Sequence, residues 1–406
     1  MSLTNTHTTY GAVTKTFHWL TALLILTAIP LGIVANNLPY ETSEELARKA
    51  WLFSFHKTVG ITAFFVALAR IAWAIAQPRP GLLNGDKKVE SLLAETVHWL
   101  LYGSLLLVPL SGWIHHAATT GFAPIWWPFG QDLPFIPKDD GIASTFAGLH
   151  MVFERVLVVA IALHAAGALK HHFIDKDFTL LRMLPNRRQA PNPPAHTRSS
   201  LPLGAAIVLW GAALGIGGTL GVYDSHAAIA PVAELEEVQS DWQVEDGTLG
   251  ITVTQLGSQV EGTFADWTAA ITFAERDDPG PAGSVDVTVA IGSLTLGSVT
   301  GQALGPDFFD VERFPTATFT AEISRTEDGY VANGPLAIRD ASVPVSLPFT
   351  LVIAEDGTAT MSGNLTLNRI DFGIGASSQP DEANVGFGVD VNVALTATQA
   401  QPSDQP

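Results

Sequence analysis

Twelve histidines punctuate this 406-residue chain, which contains no cysteine. Nine stand in or beside long apolar runs: His18, His56, His98, His115, His116, His150, His164, His171 and His172. An ionisable side chain in such a run is costly to bury and points to function. Neutral imidazole ligates metals, including the axial positions of haem iron. The lack of thiols excludes disulfides, thiolate metal sites and covalent haem attachment. His150 and His164 lie 14 residues apart. On one helix they share a face within about 40° and stand about 21 Å apart along the axis. One ring then sits near one membrane surface and the other deeper, towards the opposite side.

The elements that would position these rings are apolar spans. A membrane-crossing helix needs about 20 mostly apolar residues. Five stretches qualify: 17–35, 56–76, 93–116, 146–170 and 201–222. Core helices of a soluble protein are the competing explanation. Five such runs in one half of a chain argue against it. Lys15, Arg79, Lys87, Lys88, Lys170, Lys176, Arg182, Arg187, Arg188 and Arg198 fall in the N-terminus and alternate connections, whereas the other loops carry only Arg48, Lys49 and Lys138. Basic loops stay inside. The N-terminus is therefore expected in the cytoplasm, with four spans as an up-down bundle. The fifth span would carry residues 223–406 outside. That span also resembles a signal peptide, so cleavage near Ala227–Ala230 is the alternative.

Direction then pairs the histidines. The first span runs outward, so His18 at its start is on the inner side. The second runs inward, so His56 at its start is on the outer side. His18 faces His164 and His56 faces His150, each pair able to hold one haem iron from two helices, as bundle cores do. A single interfacial histidine bonded to backbone or water is the plainer explanation for any one of them; two matched pairs at two depths favour ligation. His98 is a substitute inner ligand. His115 and His116 end the third span. His171 and His172 lie where a quinone head could dock. Gly60, Gly103, Gly112, Gly148 and Gly167 offer either room for a flat macrocycle or ordinary close helix packing. Arg70, 14 residues past His56, could meet a propionate at the inner site, and Lys57 and Arg155 one at the outer site. Snorkelling to lipid head groups is the equal alternative.

The segments TYGAVTKTFHWL, FSFHKTVGI, ETVHWLLYG and LHMVFERVLVVAIALHAAGALKHHFIDKDFTLLRMLP resemble the bacterial di-haem cytochrome b561 family over residues 8–186. The resemblance implies two b-type haems on His18, His56, His150 and His164, a four-helix bundle, and electron transfer with quinone. Some members of that family are associated with oxidising superoxide and passing the electron to ubiquinone. Related cytochrome b subunits serve hydrogenases and other dehydrogenases, each a redox partner subunit.

Charge changes abruptly along the chain. Residues 1–222 hold 16 Lys and Arg against 12 Asp and Glu; residues 223–406 hold 5 against 27, with no lysine. An acidic domain repels nucleic acid and anionic lipid. Residues 187–200 read as a cytoplasmic linker, 201–222 as the fifth span, and 223–239 as a tether. From 240 to 398 the period becomes two. VDVTVAI (285–291), ATFTAEI (317–323), SGNLTLN (362–368) and VGFGVDVNVAL (385–395) alternate as half-buried strands do. EDG at 245–247, 327–329 and 355–357 marks turns, and a short helical piece fits 298–309. A closed antiparallel barrel of about eight strands follows, able to hold one small ligand.

PDFFDVERFPTATFTAEI, GYVANGPLAIRDASVPVSLPFTLVI and LNRIDFGIG resemble the YceI-like family of lipocalin-type barrels. That resemblance implies binding of long polyisoprenoids, quinones included, with Phe308, Phe309, Phe314 and Phe319 as candidate contacts. The opening strand GTLGITVTQ departs from the family pattern, which leaves the ligand's identity open. Three functional classes follow. The first is a quinone-linked electron carrier in a bacterial inner membrane with a periplasmic barrel. The second is the cytochrome subunit of a larger dehydrogenase or hydrogenase. The third is a membrane-anchored lipid carrier without redox chemistry, which needs no paired histidines.

Overall fold

A computed structural model describes residues 2–185, 191–194, 199–224 and 232–400. Most of the expected linker, with Arg187, Arg188 and Arg198, and the alternative cleavage site at 227–230 lie outside the described residues. The chain divides into two compact units. One comprises residues 1–38, 49–119 and 124–225; the other comprises 39–48, 120–123 and 226–406.

The first unit is helical. Its long helices are α1 (Ala12–Asn37), α2 (Ser43–Ala76), α3 (Lys88–Ala118), α4 (Asp140–Phe173) and α5 (Leu201–Thr219). All five are long and apolar enough to cross a membrane. The first four extend beyond the apolar stretches that announced them, because polar first and last turns continue the helix, whereas α5 ends at Thr219, short of residue 222. At the start of α4, Asp139 caps the free N–H of Ile142 at 2.7 Å. Pro30 and Pro109 lie inside α1 and α3; each removes one N–H from the helical ladder. Helix α5 packs on α3 and α4 through a small cluster of Leu100, Ala160 and Ala206. Trp210 of α5 meets Phe153 edge-on at 5.0 Å.

The second unit is one curled antiparallel sheet of ten strands: β1 (Trp242–Gln255), β2 (Ser258–Phe264), β3 (Trp267–Phe273), β4 (Gly280–Ala290), β5 (Leu294–Thr295), β6 (Thr316–Arg325), β7 (Tyr330–Ile338), β8 (Ala341–Ile353), β9 (Thr358–Asn368) and β10 (Val385–Gln399). The short helix α6 (Thr300–Leu304) precedes β6. The spatial order is β3-β4-β6-β7-β8-β9-β10-β1-β2-β5. Ten strands replace the expected eight because the 240–300 region folds into two extra short ones. The ladder has two ends, β3 and β5, so the sheet curls without full closure. A few bonds draw β3 to the approach of β1: Asp241 N–H donates to the Ile271 carbonyl at 3.0 Å, and Trp242 Nε1 to that of Phe273 at 3.2 Å. Two of the three EDG signals are turns. The first, at 245–247, lies inside β1, where the register against β10 shifts between Val244 and Asp246. A β-bulge absorbs the residues that read as a turn.

Candidate functional sites

The helical unit brings the four expected histidines together in the expected pairs. His18 on α1 and His164 on α4 have ring centroids 6.1 Å apart. His56 on α2 and His150 on α4 have theirs 6.4 Å apart. Two imidazoles on opposite sides of one metal, with metal–nitrogen bonds of about 2.0 Å and about 1.1 Å from nitrogen to ring centre, would stand about 6.2 Å apart. Both spacings therefore fit a metal between the rings. His98 is closer to His164, at 5.1 Å, too short for that coaxial arrangement, so the spacing favours His18.

The His56–His150 pair is held by a device repeated on two helices. His56 Nδ1 bonds the Ala28 carbonyl of α1 at 2.8 Å, and His150 Nδ1 bonds the Val108 carbonyl of α3 at 2.8 Å. A carbonyl only accepts, so each Nδ1 carries the proton and each Nε2 keeps its lone pair for a metal. Four residues after each carbonyl stands a glycine. A Cβ on Gly32 would come within 2.8 Å of the His56 ring, and one on Gly112 within 2.9 Å of His150 Nδ1. Both segments, AIPLG at 28–32 and VPLSG at 108–112, also contain a proline. Sequence reading picked Gly112 and missed Gly32, although the shared proline–leucine–glycine pattern was there to find. Gly60 and Gly167, one turn beyond His56 and His164, border open space, whereas Gly103 meets Trp210 and Gly148 meets Val222 and Tyr223. The first two fit a macrocycle beside the rings; the second two are packing glycines.

The end of the helical unit that carries His18 is tied by the segment after α4. Lys15 Nζ donates to the Leu184 carbonyl at 2.8 Å, and Trp19 Nε1 to that of Met183 at 2.9 Å. These bonds fix the first turns of α1, and with them His18. Arg182 reaches the Gly81 carbonyl at 2.9 Å and lies over the Tyr10 ring. Lys170 bridges Glu90 at 3.0 Å and Asp175 at 2.8 Å. The bonded Lys170 ammonium holds the Asp175 carboxyl below the usual carboxylate range. His171 bonds Asp177 at 2.7 Å. Arg70 lies over the Tyr102 ring. Lys57 is buried, whereas Arg155 is exposed and pairs with its neighbour Glu154 at 3.2 Å. His115 and His116 stand together in the last turn of α3, with His115 bonded to the Ala143 carbonyl.

The sheet unit encloses a cavity of about 310 Å³ with an almost wholly apolar wall. Leu249, Ile251 and Val253 of β1 stand beside their register partners Val393, Val391 and Val389 of the neighbouring β10 on its wall, the inward set of a period-two pattern. Phe308, Phe309 and Phe319 line it. Phe314 does not; it lies beneath the guanidinium groups of Arg313 and Arg339. Arg369, only 3% exposed, was not singled out by sequence reading. Its guanidinium donates to five backbone carbonyls, those of Ile374, Gln379, Asp381, Val385 and Gly386. It anchors the loop between β9 and β10.

Comparison with known proteins divides the chain where its architecture does. Residues 9–186 match the family described as prokaryotic cytochrome b561, and residues 241–397 match the YceI-like domain. Cytochrome b561 homolog 2 of Escherichia coli is 35% identical over 188 residues, covering 45% of this chain and 95% of the relative. The chain belongs to the prokaryotic cytochrome b561 family. It is a fusion of that cytochrome with a YceI-like domain, and the family implies haem b. A second relative, named Probable superoxide oxidase CybB in Yersinia pestis, is 27% identical, covering 45% of this chain and 99% of its own length. Among solved structures, Burkholderia cenocepacia BcnA is 29% identical with a TM-score of 0.34, covering 37% of this chain and 96% of that one.

Proposed function

We infer that this cytochrome b561–YceI fusion is a membrane electron-transfer protein that holds two haem b groups and exchanges electrons with a quinone pool. The observation that carries the reading is the pair of imidazole–imidazole separations, 6.1 and 6.4 Å, at two levels of α4. His18 and His164 would hold the inner group, and His56 and His150 the outer. Bound haem b supplies a one-electron iron couple whose potential depends on axial ligation and burial. The protein's own part is to fix ring orientation. The Ala28 and Val108 carbonyls set the tautomer of the outer ligands, and the helices around them exclude water.

The organisation follows the sequence: a haem-binding region over 8–186, a cytoplasmic linker over 187–200, a fifth span over 201–222, a tether over 223–239 and a periplasmic barrel over 240–398. The barrel's long apolar cavity suits a quinone or other polyisoprenoid. The name of the Yersinia pestis relative makes superoxide the first electron donor to test.

A reduced-minus-oxidised spectrum of the purified chain, with haem counted per chain, is the decisive measurement. Two haems of b type, reduced by quinol or by superoxide, are expected. Fewer than one haem per chain after supplementation would reduce the helices to an anchor for a lipid carrier.

A further inference from the structure

The connection between α3 and α4 is not composed like a loop in water. Residues 124–137, PIWWPFGQDLPFIP, hold four aromatic rings and four prolines but a single charged side chain, Asp132. Loops that face solvent are rich in small polar residues that bond their own backbone. Here Trp127 is 89% exposed and Phe135 98% exposed. Exposed apolar groups gathered in one segment mark a surface that meets protein or lipid.

The contacts of the segment choose between the two. It folds back along the helices near it. The Trp126 N–H donates to Thr58 Oγ1 at 3.0 Å, and the Trp126 ring stacks on Phe55 at 6.0 Å. Phe129 stacks on Phe65 at 5.4 Å, and Phe65 stands about 13 Å further along α2 than His56. Trp113 Nε1 donates to the Gly130 carbonyl at 3.0 Å. Thr58, Phe65 and Trp113 belong to the apolar stretches 56–76 and 93–116. Residues 126–130 therefore run beside the lengths that would cross a membrane, where a soluble partner has no access and lipid does. Non-helical backbone at such a level must be satisfied within the protein. Pro124, Pro128, Pro134 and Pro137 carry no N–H to satisfy. The Phe129 N–H donates to the Trp126 carbonyl at 3.1 Å, and that of Ile136 to the Leu133 carbonyl at 3.3 Å. Charge stays with the end of α3: Lys138 pairs with Asp132 at 2.7 Å and donates to the Ala117 and Thr119 carbonyls at 3.0 and 3.1 Å. Tryptophan rings beside an ion pair at a helix end suit the boundary between head groups and acyl chains.

We propose that residues 126–136 are a membrane-interface anchor, with Trp127 and Phe135 inserted among the phospholipids of the leaflet nearest the His56–His150 pair. The proposal rests on the membrane reading of the helices and is independent of haem and quinone.

The chain has no cysteine, so Trp127→Cys and Phe135→Cys each give the full-length protein one thiol for a bimane label. Both side chains are almost free of protein contact, and neither change removes a packing partner. The labelled proteins are placed in phosphatidylcholine vesicles that carry a nitroxide on the fifth or the twelfth acyl carbon. Each label should lose roughly half its fluorescence or more to the fifth-carbon nitroxide, which reports the depth of about 5–10 Å where interfacial side chains lie. Loss to the twelfth-carbon nitroxide or to aqueous iodide should be smaller. Quenching by iodide and not by lipid would put the segment in water and overturn the proposal. Insensitivity to both quenchers would mean that protein covers it, and would overturn the proposal equally. Leu26→Cys separates these failures from a failure of the membrane reading: Leu26 is 62% exposed in the middle of the first apolar stretch. Twelfth-carbon quenching there keeps the membrane reading, and its absence overturns that reading together with the anchor.

Discussion

A glycine four residues after a hydrogen-bonded carbonyl decides where each outer imidazole can stand. At Gly112 a bare Cβ would already lie 2.9 Å from His150 Nδ1, and at Gly32 it would lie 2.8 Å from the His56 ring. Neither ring can retreat without losing its 2.8 Å bond to Val108 or Ala28. If each histidine pair holds one haem as proposed, Gly112→Val is expected to remove the group at His56 and His150 and spare that at His18 and His164, halving the haem count per chain. His150→Ala should do the same, and His164→Ala should remove the inner group instead. A Gly112→Val protein that keeps both haems would show that the ring is not confined there. The histidines themselves were legible in the sequence because ionisable groups in apolar runs are few and expensive. The contact of Gly32 with His56 was not: its resemblance to the segment around Gly112 was visible, but spacing along one helix does not say which neighbour's ring the glycine meets.

Among elements, the loop joining β9 to β10 shows what one buried cation can organise. Arg369 follows a strand and reads in sequence as an ordinary surface charge. In the fold it gathers five carbonyls from the β9–β10 connection and the start of β10. Arg369→Ala would leave those acceptors buried and unpaired, at a cost of about 3 kcal/mol or more. Faster hydrogen exchange in β9, β10 and the loop between them, with β6 and β7 little changed, is the expected outcome. Uniform exchange across the sheet would mean the loop is held by something else. The strands themselves were visible as period-two alternation, since each buries one face against the cavity. The β1 bulge was not, because EDG favours a turn locally and only pairing with β10 overrides it. The degree of closure was beyond the sequence: alternation led to a closed barrel, whereas the ladder ends at β3 and β5 and only a few bonds from Ser240, Asp241 and Trp242 reach β3.

For the whole molecule, the charge break is a statement about topology. The region to residue 222 carries 16 basic against 12 acidic side chains, and its basic residues cluster in alternate connections; the remainder carries 5 against 27. Basic loops resist translocation, whereas a long acidic domain can cross regardless of its charge. Five helices are long and apolar enough to cross a membrane, and if all five cross, their odd number would put the two ends of the helical unit on opposite sides. Under the proposed orientation the basic connections lie in the cytoplasm with the N-terminus, and the YceI-like domain lies in the periplasm. Protease added to spheroplasts should then digest the acidic domain of the 43.1 kDa chain, whereas the same protease on inverted vesicles should leave it whole and cut the connection near residues 186–198. The opposite pattern would invert the topology and move the His56–His150 pair to the cytoplasmic side. A free acidic fragment in the periplasm before any protease is added would instead mean that the chain is processed after its fifth span, separating the lipid-binding domain from the electron carrier.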